Sequence, residues 1–234
     1  LLVAGTERGA FVSLDDGDSW QPLQLNMPVT SVRDFEFYGN DLIVATHGRG
    51  FWVVDDISPL RQVDSAVLAS DAHLFKPADA VNVMQGGDNG TPLQKDEPQA
   101  QNPPNGAIID FYLKSAATGP LSLEILDANG AVVRTFGTEA TNQPAQAGRG
   151  GAGGIPNTSA LWRTPPEPFS VNAGMHRVVW DPVAPGAGRG GAGGGGRGGG
   201  APRLTGTFTA KLTVGGKSYT QTFTVRADPR GAER

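Results

Sequence analysis

Two adjacent pairs of carboxylates are the first residues in this chain with the type and spacing for chemistry. They are Asp15/Asp16, inside S-L-D-D-G-D-S-W (residues 13–20), and Asp55/Asp56, at the end of F-W-V-V-D-D (residues 51–56). Paired carboxyls about 5 Å apart serve retaining glycosidases as nucleophile and acid/base. Neighbouring residues on an extended strand, however, point to opposite faces, so neither pair converges on a substrate by itself. The D-D-G-D run also departs from the alternating aspartates of a calcium loop. His47, His73 and His176 lie in three separate segments, without a His-x-x-His or His-Glu-x-x-His spacing that would bind zinc. The absence of Cys removes thiolate chemistry, disulfides and Cys-type zinc sites from this sequence. No nucleophile-elbow or phosphate-loop motif is found. The expectation is no catalytic residue, no metal and no cofactor.

A second group suits binding. In T-H-G-R-G-F-W (residues 46–52), glycines allow close backbone approach, Arg49 can hold an anion and Trp52 can stack on a sugar or peptide, with His47 beside them. The alternative for Trp52 is packing between neighbouring sheets.

The elements that must position these residues are short strands. Leu1 to Gly5, Gly9 to Leu14, Trp20 to Leu23, Val32 to Phe37, Leu42 to Thr46 and Phe51 to Val54 are apolar or alternating runs divided by turn residues. A shift of 40 residues superimposes Leu2, Thr6, Phe11, Asp15 and Asp16 on Leu42, Thr46, Phe51, Asp55 and Asp56 without a gap. A period near 40 with several strands per unit is the signature of a propeller blade. In the second copy Ile57, Pro59 and Leu60 stand where Gly17, Ser19 and Trp20 stood, as expected of a terminal repeat, and Asp41 to Asp55 is assigned to the last blade. One full period and a partial one do not close a ring, so the sequence reads as an excerpt of a longer protein with its other blades upstream.

Ser58-Pro59 signals a helix start, with Leu60, Val63, Val67 and Leu68 at helical spacing, followed by an extended stretch from His73 to Val83 and a polar connector from Gly86 to Asn105. A second unit begins near residue 107, with strands at Ile108 to Leu113, Leu121 to Leu126, Val132 to Phe136, His176 to Trp180, Thr207 to Val214 and Ser218 to Val225. They suit a small immunoglobulin-type sandwich. Its clearest prediction is a hairpin turning at Gly215-Gly216, with Leu212 opposite Tyr219 and Phe208 opposite Phe223 on one face, and Thr207, Thr209, Lys211 and Thr213 on the wetter one. Asn129-Gly130 signals a further hairpin whose faces match less clearly. Two tracts, Gly148 to Gly154 and Gly186 to Gly200, hold 16 of the 34 glycines and interrupt the sandwich as coil. Their Arg-Gly-Gly triplets at Arg149, Arg189 and Arg197 lack the interleaved aromatics and basic balance of nucleic-acid-binding segments, and the net charge of −4 points the same way. No apolar run reaches membrane-spanning length.

Ser13, Asp15, Gly17, Ser19 and Trp20 fit Ser-x-Asp-x-Gly-x-Ser/Thr-Trp at every fixed position, and the segment resembles the Asp-box (BNR) repeat of sialidase-like and sortilin/Vps10-like propellers. That resemblance implies structural work: Asp15 accepts hydrogen bonds from its own turn, Gly17 takes positive φ and Trp20 anchors the next strand. L-S-L-E-I-L-D-A-N-G-A-V-V-R-T-F, G-M-H-R-V-V-W-D-P and G-T-F-T-A-K-L-T-V-G-G-K-S-Y-T-Q are similar to FlgD-type Ig-like modules. With G-T-E-R-G, T-H-G-R-G-F-W-V-V-D-D and V-R-A-D-P-R, nearly the whole chain outside the glycine tracts resembles large bacterial exported proteins labelled glycosyl hydrolases with such propellers. The expected organisation is therefore all-β: propeller blades over 1–57, a connecting helix and linker over 58–106, and an Ig-like sandwich over 107–228. The resemblance implies a secreted, periplasmic or cell-surface bacterial protein that binds a glycan or protein ligand, scaffolded by the upstream blades, without nucleic-acid partners. The alternative is the accessory end of a sialidase-like hydrolase. A sialidase needs an arginine cluster and a tyrosine nucleophile gathered from many blades, and only Tyr38, Tyr112 and Tyr219 are present.

Overall fold

The computed structural model describes residues 1–83, 106–138, 169–184 and 203–229. It is mostly β, with 52% strand and 7% helix among these residues, and it includes a sheet curled into a half-barrel. The connector from 86 to 105 and both glycine tracts lie outside the described residues.

Two three-stranded antiparallel sheets open the chain. The first runs β1 (Leu2–Thr6), β2 (Gly9–Ser13) and β3 (Gln21–Pro22), and the second β4 (Val32–Tyr38), β5 (Asp41–Thr46) and β6 (Phe51–Val54), each in chain order. Ala10 and Met27, with Val3 and Leu23 beside them, share one cluster with Leu42 and Val44, against which Phe35, Trp52 and Val54 pack. Alternation explains the cluster, because each strand sends every second side chain inward.

The 40-residue echo does not survive as an identical register. Leu2 pairs with Ser13, whereas Leu42 pairs with Val54, one residue further on. The cause is the connection. β1 and β2 close on the tight Glu7-Arg8 turn, fastened by the Thr6 hydroxyl donating to the Gly9 carbonyl at 3.0 Å. β5 and β6 pair last at Ala45 and Phe51, and the Thr46 hydroxyl donates to Gly50 O at 2.7 Å across a wider loop. A one-residue slip exchanges faces, so Phe11 and Phe51 are not equivalent.

The expected helix is broken in two: α1 (Ser58–Gln62) and α2 (Ser65–Ala69). Ile57 occupies the first N-cap, and Ser58 is already helical with Pro59 behind it. Val63 is extended (φ −72°, ψ 124°), and Asp64 starts the second helix by accepting from the Val67 N–H at 2.8 Å. A strong N-cap two residues past a helix end restarts the chain in a new direction.

The remaining strands build two sheets around one core. β11 (Val132–Gly137), β10 (Leu121–Leu126), β13 (Gly206–Val214), β14 (Lys217–Ala227) and β8 (Ala80–Asn82) form one, with β8 parallel to β14. β12 (Gly174–Trp180), β9 (Ala107–Leu113) and β7 (Ala72–Leu74) form the other. Ile109, Phe111, Leu123, Ile125, Ala210 and Leu212 are fully buried between them. Trp180 stands edge-on to Phe208 at 4.8 Å and to Phe223 at 6.0 Å. β7 and β8 thus give Ala72, Leu74 and Ala80 to this core from upstream of residue 106.

The predicted hairpin is observed in register: Leu212 opposite Tyr219 and Phe208 opposite Phe223, with Gly215 and Gly216 both at positive φ (53° and 83°). Phe208, Ala210 and Leu212 are buried, while Thr209, Lys211 and Thr213 stay part-exposed. The hairpin at Asn129-Gly130 owes its poorer match of faces to a register shift between Ile125 and Leu126, where Leu126 pairs with Val132 and skips Val133.

Candidate functional site

The Asp-box residues come together as a closed polar turn. Ser13, fully buried, donates from Oγ to Asp15 Oδ1 at 2.8 Å and accepts the Gly17 N–H at 2.8 Å. Asp15 also accepts the Ser19 N–H on Oδ1 at 2.9 Å and the Ser19 hydroxyl on Oδ2 at 2.5 Å. These bonds all favour the charged carboxylate. The hydroxyl and N–H of Ser19, followed by the hydroxyl of Ser13, lower the Asp15 pKa from 3.8 to about 2. Gly17 sits at φ 104°, a conformation open to Gly at little cost. Trp20 departs from the expected anchor: it is 43% exposed and outside the core that its neighbours Leu23 and Met27 join. The strand after the box is only Gln21-Pro22 and gives the indole no long partner to lie on.

The carboxylate pairs occupy turns, not extended strand. Asp16 and Asp56 both adopt left-handed conformations, φ 58° and 50°, so the echo persists in the backbone at this point. Their neighbours use the carboxylates differently. Asp56 is buried, its carboxylate accepts the Ser58 N–H at 3.0 Å and its own N–H donates to Asp41 Oδ1 at 2.9 Å. Asp55 is partly buried; desolvation, then the nearby Asp41 charge, raise its pKa, and Arg177 opposes them. Asp15 and Asp56 thus spend their carboxylates on local N–H or O–H donors, leaving none of the pairs presented jointly to a substrate.

The loop from Thr46 to Gly50 carries the other candidates. His47 and Arg49 are exposed, and the Arg49 side chain has no hydrogen bond or ion pair among the described residues. The His47 backbone is fixed by its N–H to Ser31 O at 2.8 Å and by the Thr30 hydroxyl on its carbonyl at 3.4 Å. Trp52 turns its ring into the core and donates Nε1–H to Arg49 O at 3.1 Å, so its one polar atom shapes the loop. Its ring also lines a small cleft with Leu23, Gln24, Leu25, Asn26 and Met27. The packing alternative therefore describes the Trp52 ring, while His47 and Arg49 remain presented outward.

Sequence reasoning missed the residues that hold the two parts of the chain together. Arg177 on β12 forks onto Asp110 of β9, Nε to Oδ1 at 2.9 Å and Nη2 to Oδ2 at 3.1 Å. The same guanidinium donates to Asp55 O at 2.5 Å and Asp56 O at 2.6 Å, where β6 ends. Asp110 is 5% exposed at its side chain. The available signal was one acidic residue in the apolar strand I-I-D-F-Y-L and one Arg in the largely apolar strand H-R-V-V-W, because a buried charge demands an opposite partner. At the other end of β12, Arg203 ties Asn82 (2.9 Å) to Asp181 (2.6 Å).

No group of three or more His, Asp or Glu among the described residues is placed to hold a metal ion, and no helix there is long and apolar enough to cross a membrane. No protein-family model matches the chain, and neither a curated protein nor a solved structure is significantly similar to it.

Proposed function

We propose that this chain is the non-catalytic end of an exported Asp-box propeller protein, in which terminal blades and an Ig-like sandwich act in glycan or protein binding and scaffolding. The observation that carries the reading is how the polar groups are spent. The box carboxylate that might have suggested catalysis is saturated by Ser13 and Ser19, while Arg49 and His47 stand exposed on a loop braced from beneath by Trp52. A saturated carboxylate held near pKa 2 is a poor general acid at neutral pH. An exposed guanidinium with no hydrogen bond or ion pair among the described residues suits a ligand with an anionic group. The two facing sheets around Trp180 support the sandwich reading, and the paired three-stranded sheets support the blade reading.

Glycan and peptide arrays probed with the whole chain test this. Binding is expected, with Arg49→Ala and His47→Ala each weakening it at least about tenfold, the size of one lost charge-assisted hydrogen bond. Absent binding together with glycoside hydrolysis by the same chain would overturn the proposal in favour of a hydrolase.

A further inference from the structure

The tip of the β10–β11 hairpin carries a reactive dipeptide. Among the described residues Asn129 alone is an asparagine followed by glycine, and Asn129 and Gly130 are both exposed. The Asn129 carboxamide has no hydrogen bond among those residues, so its Cγ is an open electrophile. Gly130 sits at φ 80°, and a Cβ built there would meet nothing within 4 Å, so solvent and base reach the peptide nitrogen between the two residues. Closing that nitrogen onto Cγ makes a five-membered ring, and glycine offers no Cβ to hinder it.

Other candidates are spent or shielded. Asn40 and Asn82 hold Arg61 and Arg203 through Oδ1 at 3.0 and 2.9 Å, and Asn172 is followed by Ala173, whose Cβ crowds the ring. At Asp16-Gly17 the glycine N–H donates to the buried Ser13 Oγ at 2.8 Å, and a carboxylate is a poor electrophile.

One residue restrains the tip. Asp127 takes the Gly130 N–H on its carbonyl at 3.0 Å, and its Oδ1 takes the N–H of Asn129 and of Ala131, both at 2.9 Å. Attack on Cγ requires the Gly130 nitrogen to leave that carbonyl and lose its proton, so the turn must first open locally. Asp127 is therefore a brake, set at a loop tip, where local opening costs least.

We infer that Asn129 is a site of spontaneous modification, deamidation through Gly130, and that Asp127 sets its rate. The bond from Gly130 N to Asn129 Cγ forms, the Cγ–Nδ2 bond breaks, and ammonia leaves with the proton from Gly130 N. Water then opens the ring at either carbonyl, giving aspartate or isoaspartate. Either product puts a carboxylate where a neutral amide stood, taking the net charge from −4 to −5. Isoaspartate also lengthens the backbone by one carbon, in a hairpin already bulged where Leu126 pairs with Val132. The modified tip thus loosens β11, the edge strand of its sheet. None of this depends on the glycan- or protein-binding reading.

Peptide-resolved mass spectrometry of the whole chain, held in mildly alkaline buffer, tests this. Asn129 is expected to gain about 1 Da, –NH2 becoming –OH, at least about tenfold faster than Asn40, Asn82 or Asn172. Asp127→Ala should speed that conversion about 2- to 10-fold, the worth of one lost hydrogen bond. The same variant should leave the rates at Asn89-Gly90 and Asn105-Gly106 unchanged; both of those asparagines lie outside the described residues. Asp127→Asn, which keeps an acceptor and drops the charge, should stay near wild type. Conversion at Asn129 no faster than at Asn172, or an Asp127→Ala rate equal to wild type or to Asp127→Asn, would overturn the inference. If Asp127→Ala does not fold, the wild-type chain in urea decides: the opened turn should convert faster than the native one, and an unchanged rate means that Asp127 is no brake.

Discussion

Arg177→Ala should separate the two parts of this molecule as well as destabilise them. The substitution removes two bonds to Asp110 (2.9 and 3.1 Å) and two to the carbonyls of Asp55 and Asp56, and it leaves a carboxylate that is 5% exposed without its cation. Breaking a buried pair from one side costs about 3–5 kcal/mol. The lower end applies, because the Arg177 side chain is 32% exposed, Asp110 keeps another partner, and the freed carbonyls can take water. About 3 kcal/mol in a chain of this size lowers the thermal midpoint by roughly 6–12 °C. Arg177→Lys should recover part of this, keeping the charge and losing the fork. Arg177→Leu/Asp110→Leu should lie close to wild type, since apolar side chains replace a buried ion pair at little net cost. Urea melts give the free energies, and hydrogen exchange locates the effect: amides of β5 and β6 should exchange faster in Arg177→Ala than those of the β13–β14 hairpin. An Arg177→Ala loss under about 1 kcal/mol, or a double-leucine variant as unstable as the single, refutes the assignment of the pair as the tie.

Three further outcomes are expected. Asp15, lowered to about 2 by Ser19 and Ser13, should keep its turn intact above the ordinary carboxylate value of 3.8 and lose it only as pH falls through about 2; the Ser19 amide shift in an NMR titration reports it, and a midpoint near 3.8 counts against the bonding described. Asp55 has the opposite sign: burial and Asp41 raise its pKa, so its charged form costs stability above the raised value and nothing below 3.8. Asp55→Asn should therefore stabilise the chain at pH 7 and make no difference near pH 3.5, as denaturant melts at the two pH values would register. In the hairpin, Leu212→Ala should cost about 2–5 kcal/mol and Thr213→Ala under about 0.5 kcal/mol, because neighbouring positions face the closed core and the wet side; equal losses would contradict the register.

What could be read from the residues was whatever local chemistry decides alone. The Gly215-Gly216 turn fixes both flanking strands, so Leu212 and Tyr219 had to meet, and they do. The Ser13, Asp15, Gly17 and Ser19 spacing closes within one turn, which made its bonds legible in advance. Trp20 was not legible, because its burial depends on a partner strand that shrinks to two residues. Nor was the break at Val63, where helical spacing ran on through a point at which Asp64 offers a better cap than continuation does.

The repeat itself shows why a pattern in sequence underdetermines a register. Gapless alignment over 40 residues equates Thr6 with Thr46 and Phe11 with Phe51, yet the turns between them differ: Glu7-Arg8 closes tightly, and the segment from 46 to 50 carries glycines at φ 75° and 69°. The wider loop moves the returning strand by one residue, and period-2 alternation converts that step into an exchange of faces. Phe51 is thereby thrown outward to 78% exposure, and Trp52 is turned inward to brace the loop. Closing the second loop to a two-residue turn, by deleting two of residues 47–50, should reverse the exchange: Phe51 would pair with Thr46, on the Leu42/Val44 face, and leave the surface, and Trp52 would pair with Ala45 and come out. Tryptophan fluorescence, red-shifted and newly accessible to iodide, would report the change, whereas an unaltered spectrum in the folded deletion variant would mean that the sheet's packing, and not the loop, sets the register.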